Sequence, residues 1–437
     1  MNTNLTDFGF EDAMKFIMSF SRLGKKVNDL SRVQRLLNML DNPQNSLEFI
    51  HIAGTNGKGS VSTMISEILC EAGIRTGLFT SPYILEFRDR IRFMGEMISK
   101  EDLSSICFEV KSKLDKTDDE KDFSGFEITM AIALIYFKKI KCDIVVFETG
   151  LGGLLDCTNI IEKPLVSVIT SISHDHTAIL GKSIKEISAQ KAGIIKDNCP
   201  VVLSARNPGD AVKVITSAAK IKNSELIIPE LSNLKTESVK LENTSFIYKN
   251  TPYSLSMNGE HQIINALSAI EAINTVKHKY KISESDIQKG LKKTFIIGRT
   301  EVLSSPLKNK KHYVILDGSH NDGGIKALSD TLSEVPRPIT AIIGSLKSKD
   351  VRNSIPILFD CVDRIICVDD FTYDTIPKQE LCSIINDEYK KYIKLKGKSI
   401  ASCGVDTKTE YKKAMSGQYQ NTVICGTLYI VSYIKNL

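Results

Sequence analysis

The sequence predicts an α/β protein in two parts: an N-terminal phosphate-loop (P-loop) domain, a three-layer α/β/α arrangement with a mostly parallel sheet, and a smaller C-terminal Rossmann-like α/β domain. Three observations predict it. Short β-branched runs alternate with helical patterns, which argues for a parallel sheet covered on both faces. The runs are continuously apolar, as strands buried on both sides must be. The chain has 437 residues, too many for one core when domains usually hold ~100–200.

The elements follow in order. Phe16, Ile17 and Phe20 open a helix, and Val33, Leu36, Leu37 and Leu40 repeat at helical spacing just after it. The first predicted strand is Leu47 to Ala53, followed at once by the glycine-rich turn Gly54-Thr55-Asn56-Gly57-Lys58-Gly59-Ser60. Val61, Met64, Ile65, Ile68 and Leu69 then mark one face of a helix. Further strands are expected at Asp143 to Glu148, Leu165 to Thr170 and Cys199 to Leu203. The stretch Ser224 to Ser256 is polar and turn-rich, an antiparallel excursion. A second α/β block begins near Thr300, with strands at His312 to Leu316, Ile339 to Ile343, Arg364 to Val368 and Val423 to Cys425. Thr294 to Arg299 is the expected hinge, which divides the chain into residues 1–297 and 298–437.

Bulk numbers narrow the class. Hydrophobic residues make up 42% and charged residues 25%, ordinary globular values. A net charge of +5 with no long basic block argues against a nucleic-acid partner. The ten cysteines form no CxxC pair and mostly sit in apolar runs, which fits reduced thiols in a cytoplasmic protein. Met1 to Asn4 is polar, unlike a secretory leader, and no apolar run approaches the ~20 residues of a membrane span.

The turn at 54–60 lies between a strand and a helix, where a phosphate loop belongs. Glycines let backbone N–H groups converge on anionic oxygens, and the helix N-terminus adds partial positive charge. Lys58 supplies a full charge for the β- and γ-phosphates, so ATP is the expected ligand. The match to GxxxxGK[ST] is imperfect, because Gly59 follows the lysine and the hydroxyl arrives at Ser60.

Other candidates are weaker in isolation. Glu148 ends a strand beside the glycine turn 150–153, well placed for Mg²⁺, although a solvated strand-end carboxylate is the plainer alternative. His174-Asp175-His176 contains an HxH pair that could hold a transition metal, against an exposed histidine in a loop. Lys191 lies in an apolar setting where deprotonation becomes easier, against a lysine whose amine simply reaches solvent. Asp317 to Asn321 follows a strand, and Arg299 precedes it in the hinge; an acid and an arginine there suit a nucleotide. GxSxG, HRD/DFG and HExxH motifs are absent from the sequence.

Together these segments resemble the folylpolyglutamate synthase/dihydrofolate synthase family of the Mur ligase superfamily. His51 to Ser60 matches the family's phosphate loop. Thr80-Ser81-Pro82-Tyr83 with Phe87 to Ile91 resembles TSPH…ERI, and Glu148 to Asn159 resembles ETGLGGRLDATN. Asp175-His176-Thr177 with Lys191 to Lys196 resembles DHT…KAGIIK. Gly259 to Ala266 resembles GxHQxxNA, Gly298 to Glu301 the PGR-E element, and Asp317 to Asn321 DGAHN. The departures are Tyr83 for a usual His, Leu154 for Arg, Cys157 for Ala, Ser173-His174 for a Gly-Leu-like pair and Ile297 for Pro.

The resemblance implies ATP-dependent addition of L-glutamate to dihydropteroate or reduced folylpolyglutamates through an acyl phosphate. It implies that Ser81 and Glu148 hold one Mg²⁺ and His176 a second, and that Lys191 is carbamylated; a monovalent cation is a possible further ligand. Lys58, Lys191 and His176 would be catalytic. Gly54, Thr55, Asn56, Gly57, Gly59, Ser60, Asn265, Arg299, Asp317 and His320 would join Lys58 around ATP. Leu155, Asp156, Cys157 and Arg32 would meet the pteroate or folate acceptor. Small-molecule substrates, no nucleic acid, no membrane and a monomer complete the expectation. The alternatives are a Mur-type amide ligase for another carboxylate, a metal hydrolase built on the HxH pair, and a P-loop protein whose ATP drives motion.

Overall fold

A computed structural model of the chain describes residues 8–21, 29–116, 122–241, 243–305, 312–394 and 399–437. The polar start at Met1 to Asn4 lies outside them. The chain falls into two compact units. One comprises 1–172, 176–231 and 265–291; the other comprises 173–175, 232–264 and 292–437.

The first unit is built on an eight-stranded sheet. Its strands are β1 (Phe49–Ala53), β2 (Thr76–Phe79), β3 (Ile91–Phe93), β4 (Glu96–Met97), β5 (Ile144–Glu148), β6 (Val166–Ile169), β7 (Val201–Leu203) and β8 (Leu226–Ile227), in the order β4-β3-β2-β5-β1-β6-β7-β8. Strands β2, β5, β1, β6, β7 and β8 run parallel, while β3 and β4 form an antiparallel edge. All five residues of β1 and of β5 are buried, as expected of strands covered on both faces. Helices α1 (Phe10–Ser19), α2 (Ser31–Met39), α3 (Lys58–Glu71), α4 (Lys100–Leu114), α5 (Gly125–Lys139), α6 (Thr177–Leu180), α7 (Ile184–Ala192) and α8 (Gly209–Ile221) belong to this unit. Helix α5 is apolar nearly all round, and its residues 127–137 are buried, so it is a core helix. Its start carries a capping box, with Ser124 Oγ accepting from Glu127 N and Glu127 Oε2 accepting from Ser124 N at 2.7 Å.

Helix α9 (Glu260–Tyr280) is the longest in the described residues, and α10 (Glu284–Lys293) follows it. Gly290 of α10 packs on α3: a Cβ there would lie 2.5 Å from Ile68 Cα, so only glycine allows the approach.

The second unit contains two sheets. Strands β9 (Leu234–Lys240), β10 (Asn243–Tyr248) and β11 (Thr251–Leu255) form an antiparallel meander. Strands β12 (Glu301–Ser304), β13 (Val314–Leu316), β14 (Ile339–Ile343), β15 (Arg364–Cys367), β16 (Ala401–Cys403) and β17 (Asn421–Cys425) form a sheet in the order β12-β13-β17-β14-β15-β16. It is parallel except at β12. Helices α11 (Asp322–Leu332), α12 (Val351–Ser354), α13 (Lys378–Ile393), α14 (Thr407–Met415) and α15 (Leu428–Lys435) complete it.

The parallel strands expected from the sequence are present as β1, β5, β6, β7, β13, β14, β15 and β17, while β2 and β16 are parallel strands that it did not predict, and two further differences stand out. The excursion predicted from Ser224 begins later, because Leu226–Ile227 extends the large sheet beside β7 and, within the predicted stretch, only β9–β11 are antiparallel. Strand β12 starts the second block as an antiparallel edge strand ahead of β13. No helix among the described residues is long and apolar enough to cross a membrane.

Candidate functional site

Parallel topology gathers the first set of residues. Strands β1, β2, β5 and β6 point the same way, so the loops after them share one edge of the sheet, the edge where open α/β sheets bind ligands. Those loops are 54–60, 80–86, 149–159 and 170–176.

The loop at 54–60 has its shape imposed by its neighbours. Thr55 N donates to Ser171 O at 2.7 Å, and Thr170 Oγ1 and Ser171 Oγ both donate to Asn56 O. Gly54 sits at φ +157, and a Cβ on it would lie 1.8 Å from Thr170 Oγ1. Gly57, at φ +85, caps α3 in a left-handed conformation that favours glycine. A Cβ on Gly57 would lie 2.5 Å from Asn265 Oδ1, which places Asn265 against the loop.

Two lysines converge on this turn. Lys58 Nζ donates to Gly54 O at 3.3 Å and to Thr55 O at 3.4 Å. Lys191, in the last turn of α7, is 2% exposed, and its Nζ donates to the same Gly54 O at 2.7 Å. Taking an ammonium out of water costs several kcal/mol unless it is paired and hydrogen-bonded. A buried lysine amine at a loop of backbone donors is a feature that an anion, or a chemical change at the amine, would stabilise. Glu148 ends β5 only 2% exposed, and its Oε2 is 3.7 Å from where a Cβ of Gly59 would be. A buried carboxylate beside an anion loop fits a bridging cation. Among the described residues, no group of three or more His, Cys, Asp or Glu is arranged to hold a metal by itself. The HxH pair therefore stands without such a protein cage, whereas a cation shared between Glu148, a hydroxyl and phosphate oxygens needs none. Ser81 follows β2 at the same edge. His176, exposed and at φ +50, begins the single turn of α6.

The turn after Glu148 is closed by Asp156. Its Oδ2 accepts from Leu151 N at 2.8 Å, and its Oδ1 accepts from Thr158 N at 3.0 Å and Thr158 Oγ1 at 2.5 Å. Burial pushes the Asp156 carboxyl up, against the hydrogen bonds it receives from Thr158, Leu151 and Gly150. Asp156 and Cys157 are thus turned inward, while Leu155 stays accessible. Burial, then the Asp156 carboxylate, raises the Cys157 thiol well above its usual range, so it is inert at neutral pH. Asn159 Nδ2 donates to Leu154 O at 3.0 Å and to Gly193 O at 3.1 Å, tying the turn to the end of α7. Glycines make the approach possible: a Cβ on Gly193 would lie 2.3 Å from Leu154 Cα, and one on Gly153 2.8 Å from Gln190 O.

Arg32 is held by Glu127, with Nε 2.9 Å from Oε1 and both side chains largely buried. Both lie close enough to act on the Cys157 thiol. Glu127 escaped sequence reasoning, although the Ser124-Gly125-Phe126-Glu127 capping signature marked it. So did Phe126, whose ring edge lies 2.6 Å from where a Cβ of Gly150 would be. Arg90 stacks over Tyr83 at 5.2 Å, Phe87 at 5.8 Å and Phe126 at 6.0 Å, so Tyr83 belongs to an aromatic–guanidinium cluster.

In the second unit the parallel strands again bring loops to one edge. Asp317, just after β13, accepts from Thr300 N at 2.7 Å and Ser319 N at 2.8 Å, which couples the 298–301 turn to the 317–321 loop. Gly298 N donates to Glu301 Oε2, and Gly318 N donates to Gly298 O. A Cβ on Gly298, at φ +65, would lie 2.4 Å from Val431 Cγ1. Arg299 is carried by this braced turn and lines a cleft with Asn258, Phe295 and Thr300. His320 hydrogen-bonds Gly318 O through Nδ1 at 2.9 Å; burial, then Lys349, lowers its pKa to about 4, so it is neutral with Nε2 as acceptor. Asp175 receives Asn321 Nδ2 at 2.9 Å and Lys349 Nζ at 3.3 Å.

Residues 52–273 match the family model of the Mur ligase middle domain, and residues 299–437 that of the dihydrofolate synthetase C-terminal domain. The curated dihydrofolate synthase/folylpolyglutamate synthase of Bacillus subtilis (strain 168) is 32% identical over 441 residues, with 98% of each chain covered. The crystal structure of folylpolyglutamate synthase from Thermotoga maritima is similar at a TM-score of 0.79 and 31% identity, covering 98% of this chain and 96% of that one. A solved FPGS–AMPPCP–folate complex is similar at a TM-score of 0.81 and 27% identity, with 98% of both chains covered.

Proposed function

This chain belongs to the folylpolyglutamate synthase/dihydrofolate synthase family of Mur-type ligases, and we propose that it joins the amino group of L-glutamate to the carboxylate of dihydropteroate or a reduced folate. As a member it is an ATP-dependent acid–amino-acid ligase. The observation that carries the residue assignments is the braced loop at 54–60, on which Lys58 and Lys191 share one carbonyl and against which Glu148 is buried.

A carboxylate oxygen of the acceptor attacks the γ-phosphorus of ATP, and ADP leaves. The glutamate amine then attacks the carbonyl carbon of the acyl phosphate, and phosphate leaves. No enzymic nucleophile is needed, so catalysis is positioning and charge stabilisation. Backbone N–H groups of the loop and the N-terminus of α3 receive the phosphates, and Lys58 neutralises charge that builds on them. Ser81 and Glu148 would hold one Mg²⁺ and His176 a second, supplying positive charge at the β- and γ-phosphates. Carbamylation would turn Lys191 from a cation into an anion able to support a metal, and the carbamate nitrogen keeps one N–H, so the bond to Gly54 O would survive. Asn265, Arg299, Asp317 and His320 serve ATP. Leu155, Asp156, Cys157 and Arg32 serve the acceptor, with Asp156 acting through the turn it closes. We place the functional division at 297/298, supported by the family model that begins at 299. A cytoplasmic monomer completes the proposal.

An isotope experiment tests it. With ¹⁸O in the acceptor carboxylate, one label should appear in the phosphate released during glutamate addition. Unlabelled phosphate would sink the acyl-phosphate route.

A further inference from the structure

A buried chain of polar groups runs from β1 to the turn after Glu148, and neither ATP nor metal contacts explain it. His51, in the middle of β1, is fully buried, and its Nε2 lies 2.9 Å from Thr158 Oγ1. Thr158 Oγ1 donates to Asp156 Oδ1 at 2.5 Å, and Asp156 Oδ2 receives Leu151 N at 2.8 Å.

The direction of every bond follows from counting protons. Asp156 takes the backbone N–H groups of Leu151, Thr158 and Gly150 besides the hydroxyl, and a carboxyl group whose two oxygens receive that many donors acts as an acceptor only. The single proton of Thr158 is therefore spent on Asp156, and its oxygen can only accept from His51. His51 must then carry its proton on Nε2. Its Nδ1 is left as a bare acceptor, which agrees with that atom being buried with no hydrogen-bond partner among the described residues. Placing the proton on Nδ1 would instead bury an unsatisfied donor. Burial, then Lys196, lowers the His51 pKa to about 3, so the ring stays neutral at any working pH.

We propose that His51 is a positioning residue for the acceptor: through Thr158 it fixes the Asp156 carboxylate, and through that carboxylate it fixes the backbone turn 150–159. The proposal rests on the functional reading above, which gives this turn to the pteroate or folate acceptor. The same β1 leads into the phosphate loop three residues after His51, so one rigid strand sets the register of both substrates.

The test compares Thr158→Val, which keeps the shape and removes the hydroxyl, with Thr158→Ser, which keeps the hydroxyl. Steady-state constants are measured for acceptor and ATP separately, and a long-range ¹H–¹⁵N correlation locates the His51 proton. Thr158→Val should raise the acceptor KM about tenfold and leave the ATP KM within about twofold, while Thr158→Ser stays within about twofold for both. The His51 proton should sit on Nε2. An acceptor KM unchanged in Thr158→Val, a parallel rise in both KM values, or a proton on Nδ1 would overturn the proposal. Should Thr158→Val fail to fold, His51→Gln, which retains an N–H donor, against His51→Leu applies the same criteria. A wild-type protein that glutamylates none of the acceptors would sink the functional reading, and the tautomer would still decide the hydrogen-bond chain.

Discussion

Gly54→Ala should disable the enzyme by geometry alone. The added Cβ would lie 1.8 Å from Thr170 Oγ1 and 3.0 Å from Thr170 Cβ. Ordinary contact starts near 3.4 Å, so loop or strand must give by roughly 1.6 Å. A misplacement of ~1 Å at a reacting group can cost ~10²-fold. Thr170 cannot rotate away freely, because its hydroxyl holds Asn56 O at 2.8 Å. Glutamate- and acceptor-dependent phosphate release should therefore fall at least ~10²-fold, about 2.7 kcal/mol of lost transition-state stabilisation. Adding Thr170→Ala removes the closest clash, at the cost of a hydrogen bond of about 1 kcal/mol. The double variant should recover part of the loss, but not all, because Gly54 keeps a φ that L-residues rarely adopt. Gly54→Ala activity within about threefold of wild type, or a double variant no better than the single one, would show that the Gly54–Thr170 contact does not set the loop.

Other outcomes follow from the same geometry. Lys191→Ala should lower kcat at least ~10²-fold, and CO₂-depleted buffer should reduce wild-type activity until bicarbonate is restored; full activity in the variant would contradict the carbamate. Glu148→Gln should raise the Mg²⁺ concentration for half-maximal rate at least ~10-fold, read from a metal titration. Asp317→Asn puts an amide against the N–H groups of Thr300 and Ser319, and denaturant melts should show a loss of about 1–3 kcal/mol. His51 and His320 have pKa values lowered to about 3 and about 4, below the ~6.5 of an unfolded histidine. The unfolded chain then binds more protons, so their contribution is intact above ~6.5 and is lost as pH falls towards 4, at about 1.4 kcal/mol per pH unit for each. His51→Gln should flatten the stability curve between pH ~4.5 and ~6 by close to one proton.

The parallel strands β1, β5, β6, β7, β13, β14, β15 and β17 were readable because each is a largely apolar run, whereas parallel β2 (Thr76–Phe79) and β16 (Ala401–Cys403) carry polar or glycine residues that hid them; Gly54 to Ser60 was readable because glycines and a lysine sit between a strand and a helix. Short or edge elements were not. β3 and β4 are three and two residues long, and β12 at Glu301–Ser304 lacks an apolar run, so pairing across space decides them. Lys58, Lys191, Glu148 and Asn265 stand far apart in sequence; motif resemblance named them, but only the fold shows three of them bearing on Gly54 and Gly57 and the fourth beside Gly59. The inward turn of Asp156 and the bracing of Arg32 by Glu127 depend on packing that a linear pattern does not encode. Glu127 was the nearest miss, since its capping box is a local signal.

Activation of a bound carboxylate by ATP and its capture by glutamate are tested most directly by product analysis after incubation with ATP, Mg²⁺, L-glutamate and each of dihydropteroate, dihydrofolate and tetrahydrofolate. At least one acceptor should be extended by a single glutamyl residue, with ADP and phosphate formed in equal amounts and only when glutamate is present. ADP release indifferent to every acceptor, or an unextended acceptor in all three reactions, would contradict that route.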